Sequence, residues 1–124
     1  MRGLVMIGAV ALLAGCMSTP QIEGGRGTPS FAALQQMCDQ APVDYGDYAQ
    51  GVFAATFDAF VAQRRRGLSH EQFCAFQAGL AQQHAALGTS GDRDARNRWV
   101  AYLNDQRAAA VHWRAMVDPT LRGG

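Results

Sequence analysis

His70 and Cys74 stand four positions apart, the spacing that places two side chains on one face of a helix. A thiol beside an imidazole could act as a nucleophile and base pair, and with Cys38 added the three could supply ligands to zinc. A catalytic thiol must also stay reduced, partly exposed and backed by an orienting group, and the chain shows none of these. Asp44, Tyr45, Gly46, Asp47 and Tyr48 gather two acids and two phenols in five residues. Entry into a helix accounts for the acids, and the stretch is also the one candidate in the chain for an exposed acidic or aromatic patch. Arg64, Arg65 and Arg66 could contact phosphates of lipid A or of phospholipid headgroups, at about 1 kcal/mol each near an anionic surface. A helix C-terminus, where positive charge complements the dipole, is the plainer meaning of such a run.

The remaining motifs fail on inspection. Asp92, Arg93 and Asp94 begin like a calcium loop, but the glycine and the closing glutamate are missing. Gly88, Thr89, Ser90 and Gly91 do not make the Gly-x-Ser-x-Gly elbow. Trp99 and Trp113 read as core residues, and no pair of acids shares one inner helical face as glycoside cleavage needs. The expectation is a non-enzymatic protein with no catalytic residues, no metal and no cofactor.

The first sixteen residues carry a sharper signal. Arg2 gives a positive start, and residues 4–13 form an apolar run too short to span a bilayer, which takes about 20 residues. Leu13, Ala14, Gly15 and Cys16 follow. This segment resembles the lipobox signal peptide of bacterial lipoproteins at every position of the box. The resemblance implies removal of residues 1–15, a diacylglycerol on the Cys16 sulfur and, in many Gram-negative bacteria, acylation of the new amine. Two or three acyl chains hold a protein stably at a membrane without spanning it. Met17 and Ser18 follow Cys16, with no aspartate of the kind that signals inner-membrane retention. The implied location is the periplasmic face of the outer membrane.

With Cys16 assigned to lipid, Cys38 and Cys74 remain in a compartment that permits disulfides, and a bond between them is the simplest assignment. Loss of Arg2 leaves ten arginines against ten acids, with no lysine in the chain. A balanced domain of this kind lacks the basic excess of a nucleic-acid binder. Residues 16–27 read as the lipidated cysteine and a flexible tether whose last ten residues reach about 16–19 Å. Residues 28–124 suffice for one small domain.

That domain reads as all-α, a small bundle of three long helices and one short one with one disulfide. Thr28 can cap the first helix with Pro29 at its first position, Phe31, Leu34, Cys38 and Ala41 line its inner face, and Pro42 ends it. Asp44 or Asp47 can cap a second helix running to Arg66, with Gly67 as its stop. Its stripe is Ala49, Phe53, Thr56 and Phe60, flanked by Val52, Phe57 and Val61. Ser69 and Gln72 form a capping box for the third, while Leu68 and Phe73 occupy the positions of a hydrophobic staple. Phe73, Phe76, Leu80, His84 and Leu87 follow as its inner stripe. Asp92 or Ser90 can cap a fourth helix that Pro119 stops. Its residues Trp99, Leu103, Gln106, Ala110, Trp113 and Val117 alternate spacings of four and three, the pattern of a seam between nearly antiparallel helices, and Asp94 and Arg98 are set for an i,i+4 pair.

The function these features imply is a lipid-tethered binding or structural component of an envelope assembly, held to the membrane by its lipid and to another envelope protein by its domain. Tyr45, Tyr48, Arg64, Arg65 and Arg66 are the partner-binding candidates, because they lie at the ends of the second helix and off its inner stripe. A periplasmic immunity or inhibitor protein is the alternative within the binding class. A small envelope enzyme using Cys74 and His70 is the alternative outside it.

Overall fold

The computed structural model describes residues 28–118. The expected signal peptide at 1–15, Cys16, the tether and Pro119 lie outside the described residues. Four helices and two short helical turns occur among the described residues, with no strand.

α1 (Phe31–Gln36) is capped by Ser30, whose Oγ accepts from the Ala33 N–H at 3.1 Å. Thr28 therefore does not cap it: two hydroxyl residues lay within reach of the first turn, and the nearer one takes the orphan donor. Nor does the helix run to Pro42. Asp39 adopts a left-handed φ of 55°, and Gln40 N–H bonds back to Gln35 O while Asp39 N–H bonds to Gln36 O. This six-to-one and five-to-two pairing is a Schellman closure, which satisfies carbonyls that a helix end leaves orphaned. Two buried amides hold the end in place. Gln77 Nε2 donates to Leu34 O at 2.8 Å, and Gln35 Oε1 accepts from Val43 N–H at 2.9 Å.

A 3₁₀ turn (Gly46–Tyr48) leads into α2 (Ala49–Arg64). Neither Asp44 nor Asp47 caps α2, because the 3₁₀ turn already uses the first backbone donors and the helix starts from Tyr48 without a side-chain bond. α2 buries Val52, Phe53, Ala55, Thr56, Ala59, Phe60 and Ala62, so several of its faces are covered, as befits the central helix. Its C-terminus repeats the closure of α1: Arg66 is left-handed at φ 68°, and Gly67 N–H bonds to Ala62 O at 2.7 Å. The expected stop at Gly67 is thus one residue late. Gly67 is required for space instead, since a Cβ there would lie 2.7 Å from Val117 Cγ1.

α3 (His70–Gln83) begins with the expected capping box, Gln72 N–H on Ser69 Oγ at 3.0 Å and Ser69 N–H on Gln72 Oε1 at 2.9 Å. Leu68 and Phe73 are both buried in the core. The helix then widens into a π turn (His84–Gly88), closed by Thr89 N–H on His84 O. Asp92 caps α4 (Arg93–Val117), its Oδ2 accepting from Ala95 N–H at 3.2 Å.

α4 meets its neighbours in two senses. A Cβ on Gly51 would touch Leu103, Arg114 pairs with Asp58, and Val117 abuts Gly67, so α2 and α4 run parallel. Trp99 abuts Gly88, Tyr102 abuts Gly79 and Trp113 packs on Phe76, so α3 and α4 run antiparallel. The seam expected between antiparallel helices is therefore shared, because an up-down-up order makes the first and third long helices parallel. Asp94 and Arg98 stay exposed and unpaired with each other, while Arg114 bridges Asp58 at 2.8 Å and Asp118 at 3.2 Å and lies over the Phe57 ring.

The Cys38 and Cys74 sulfurs are at bonding distance, 2.07 Å, with Cα atoms 5.4 Å apart. The bond ties the turn just after α1 to the first half of α3. For a sequence separation of 36, the chain-entropy account gives a stabilisation of about 3–4 kcal/mol.

Candidate functional site

The described surface carries an open cleft of about 260 Å³ where the entry to α2 meets the π turn. One wall is the loop of Asp44, Gly46, Asp47 and Tyr48. The other is His84, Gly88 and Thr89, with Tyr45 between them. Asp44 Oδ1 accepts from Gly46 N–H at 2.9 Å, and Gly46 sits at φ 57°. An Asx turn followed by a left-handed residue reverses the chain here, and glycine adopts that φ without the cost a Cβ would impose. Both carboxylates end up exposed on the rim.

Behind the rim lies a cluster of rings. Tyr45 is 3% exposed; it stacks on Phe31 at 5.9 Å and meets His84 at 4.9 Å. His84 in turn stands edge-on to Trp99 at 5.1 Å, and Tyr48 meets Trp99 at 5.6 Å. Burial pushes the Tyr45 phenol up to about 12. Burial also pushes the His84 imidazole below its ordinary value, with Asp44 pulling partly the other way. His84 is thus a neutral imidazole at neutral pH, because desolvation penalises its charged form more than one exposed carboxylate compensates. It is 7% exposed, lines the cleft and makes no hydrogen bond within the protein.

The π turn explains how a residue of the inner stripe reaches the cleft. Its wider ring shifts the backbone, a device frequent at functional sites, and carries Gly88 against both His84 and Trp99. A Cβ on Gly88 would lie 2.7 Å from His84 Cδ2 and 3.1 Å from the Trp99 pyrrole edge. Thr89 Oγ1 donates to Ala85 O at 3.0 Å.

The sequence-derived candidates are not brought together. Tyr45 belongs to the core and presents no surface ring, whereas Tyr48 is half-buried at the cleft. Arg64, Arg65 and Arg66 are exposed at the opposite end of α2, Arg64 lying over the Phe60 ring. Sixteen helical residues separate the two groups, a distance of about 24 Å. His70 Nε2 lies 3.5 Å from Cys74 Sγ. While that sulfur is bonded to Cys38 it offers no thiolate, and among the described residues no three His, Cys, Asp or Glu side chains are grouped to hold a metal ion.

His84, Gly88 and Thr89 are the cleft residues that sequence reasoning missed. The available signal was a histidine within an otherwise apolar stripe, and it reads equally as a core residue. No protein-family model, curated protein or solved structure matches the chain.

Proposed function

We propose that the protein is a lipoprotein held by Cys16 at the periplasmic face of the outer membrane, where its helical domain docks another envelope protein as a non-enzymatic component of an assembly. The anchoring half rests on Arg2, the short apolar run and the order Leu13, Ala14, Gly15, Cys16. No helix of the described residues is long and apolar enough to cross a membrane.

The docking half rests on one observation: the cleft is open and measures about 260 Å³, below the roughly 300–1,000 Å³ of sites that enclose a small-molecule substrate. Its acidic rim and half-buried tyrosine suit a surface that recognises a side chain of a partner, since such anchors dominate interface energetics. The same acidic and aromatic rim supports the second reading, a periplasmic immunity or inhibitor protein that covers a basic surface on a toxin or hydrolase.

Site-specific photocrosslinking in cells tests docking. A probe at Asp47 is expected to capture one envelope protein in stoichiometric yield, whereas a probe at Asp105 on the outer face of α4 is not. Equal, diffuse labelling from both positions overturns the docking reading.

A further inference from the structure

We infer that the cleft between the entry to α2 and the π turn binds a guanidinium or alkylammonium group, presented by a basic side chain of the partner protein. This rests on the docking reading and names the chemistry that the docked partner brings. Two independent features point the same way. Asp44 and Asp47 place two carboxylates on the rim, and no arginine is among the lining residues. His84 is more than nine-tenths buried, lines the cleft and has no hydrogen-bond partner in the protein. A neutral imidazole has one nitrogen that accepts, and an N–H donor from a ligand would satisfy it.

Three further properties separate a cation from other ligands. An anion would face both carboxylates without compensation, which like-charge repulsion disfavours. The Tyr48 and His84 rings meet edge-on with centroids 6.2 Å apart, so the lining includes aromatic rings of the kind that attract cations. The volume of about 260 Å³ is enough to take the end of one long side chain. Arginine fits these groups best, because its planar fork carries five donors and is weakly hydrated.

The rim also tolerates a clean test. Asp44→Asn keeps the oxygen that accepts from Gly46 N–H, so the Asx turn survives loss of the charge. Asp47 is exposed and makes no hydrogen bond through its side chain. The double variant Asp44→Asn/Asp47→Asn is therefore compared with Asp105→Asn, which removes the same kind of charge elsewhere on the surface. Far-ultraviolet dichroism and melting temperature confirm that each variant is folded.

The experiment is a nuclear magnetic resonance titration of the full mature chain in detergent micelles, reading the His84 and Tyr48 ring signals. The probes are acetyl-Gly-Arg-Gly-amide, the same peptide with citrulline in place of arginine, and agmatine. The expected result is saturable, millimolar binding of the arginine peptide that moves both rings. Binding should weaken about tenfold, a loss of about 1.4 kcal/mol, with citrulline or in the double variant. It should be unchanged in Asp105→Asn and should fall as salt is raised. Equal binding of the citrulline peptide, or no saturable shift in a folded protein, overturns the cation site. Agmatine binding without the peptide upholds the cation chemistry and overturns the partner side chain as its source. If the titration fails while crosslinks at Asp47 persist, this assignment falls and docking stands. If the peptide binds while no partner crosslinks, docking falls alone.

Discussion

At the scale of single residues, His84 is the group whose behaviour follows most directly from its surroundings. The unfolded chain protonates this histidine near its ordinary value of about 6.5, and the folded chain does so only at lower pH because burial opposes the charge. Below about 6.5 the unfolded state therefore binds more protons, so stability contributed by neutral His84 is present above that pH and is lost as pH falls through the folded value. The melting temperature of the wild type should decline between pH 7 and pH 5, and that of His84→Gln should decline less over the same interval. Parallel slopes would show that the imidazole titrates as freely in the fold as outside it. Little of this was legible in the sequence. A histidine spaced between Leu80 and Leu87 announces a buried face, but its exit into a cleft depends on the π turn and on Asp44, forty positions away.

At the scale of elements, the helix starts and stops divide by how local their chemistry is. The capping box of Ser69 and Gln72 was legible because both bonds lie within four residues and each side chain has one role. The ends of α1 and α2 were not, because glycine and proline are the usual stop signals and here Asp39 and Arg66 take the left-handed positions. A Cβ at such a position costs about 1–2 kcal/mol, part of which a glycine returns as extra freedom of the unfolded chain. Arg66→Gly should thus raise stability by about 0.5–1 kcal/mol. Gly67→Ala should lower it by about 1–3 kcal/mol, the range for overpacking, since its methyl would meet Val117 at 2.7 Å. Chemical denaturation measures both, and an arginine variant no more stable than wild type would place the turn differently. The charge run keeps its place at the end of α2 either way, where Arg64 remains over Phe60.

At the scale of the whole molecule, the class of the fold was legible and the direction of its helices was not. Apolar spacing and short connections gave three long helices and a short one, and Cys38 and Cys74, the two cysteines left once Cys16 is set aside, lie at bonding distance. Spacings of four and three within α4 describe a seam but carry no sign for the partner's direction, so the parallel run of α2 beside α4 emerged only from contacts such as Arg114 with Asp58. On the proposed anchoring through Cys16, this stapled domain would work close to the membrane. The anchoring half of the proposed function rests on Cys16. Intact-mass analysis of the chain recovered from washed outer membranes tests this most directly, with Cys16→Ser processed alongside. The expected result is a mature chain that begins at Cys16 and carries a diacylglycerol thioether, and a serine variant absent from that fraction. A chain beginning at any other residue, or a serine variant that fractionates with the outer membrane as fully as wild type, contradicts it.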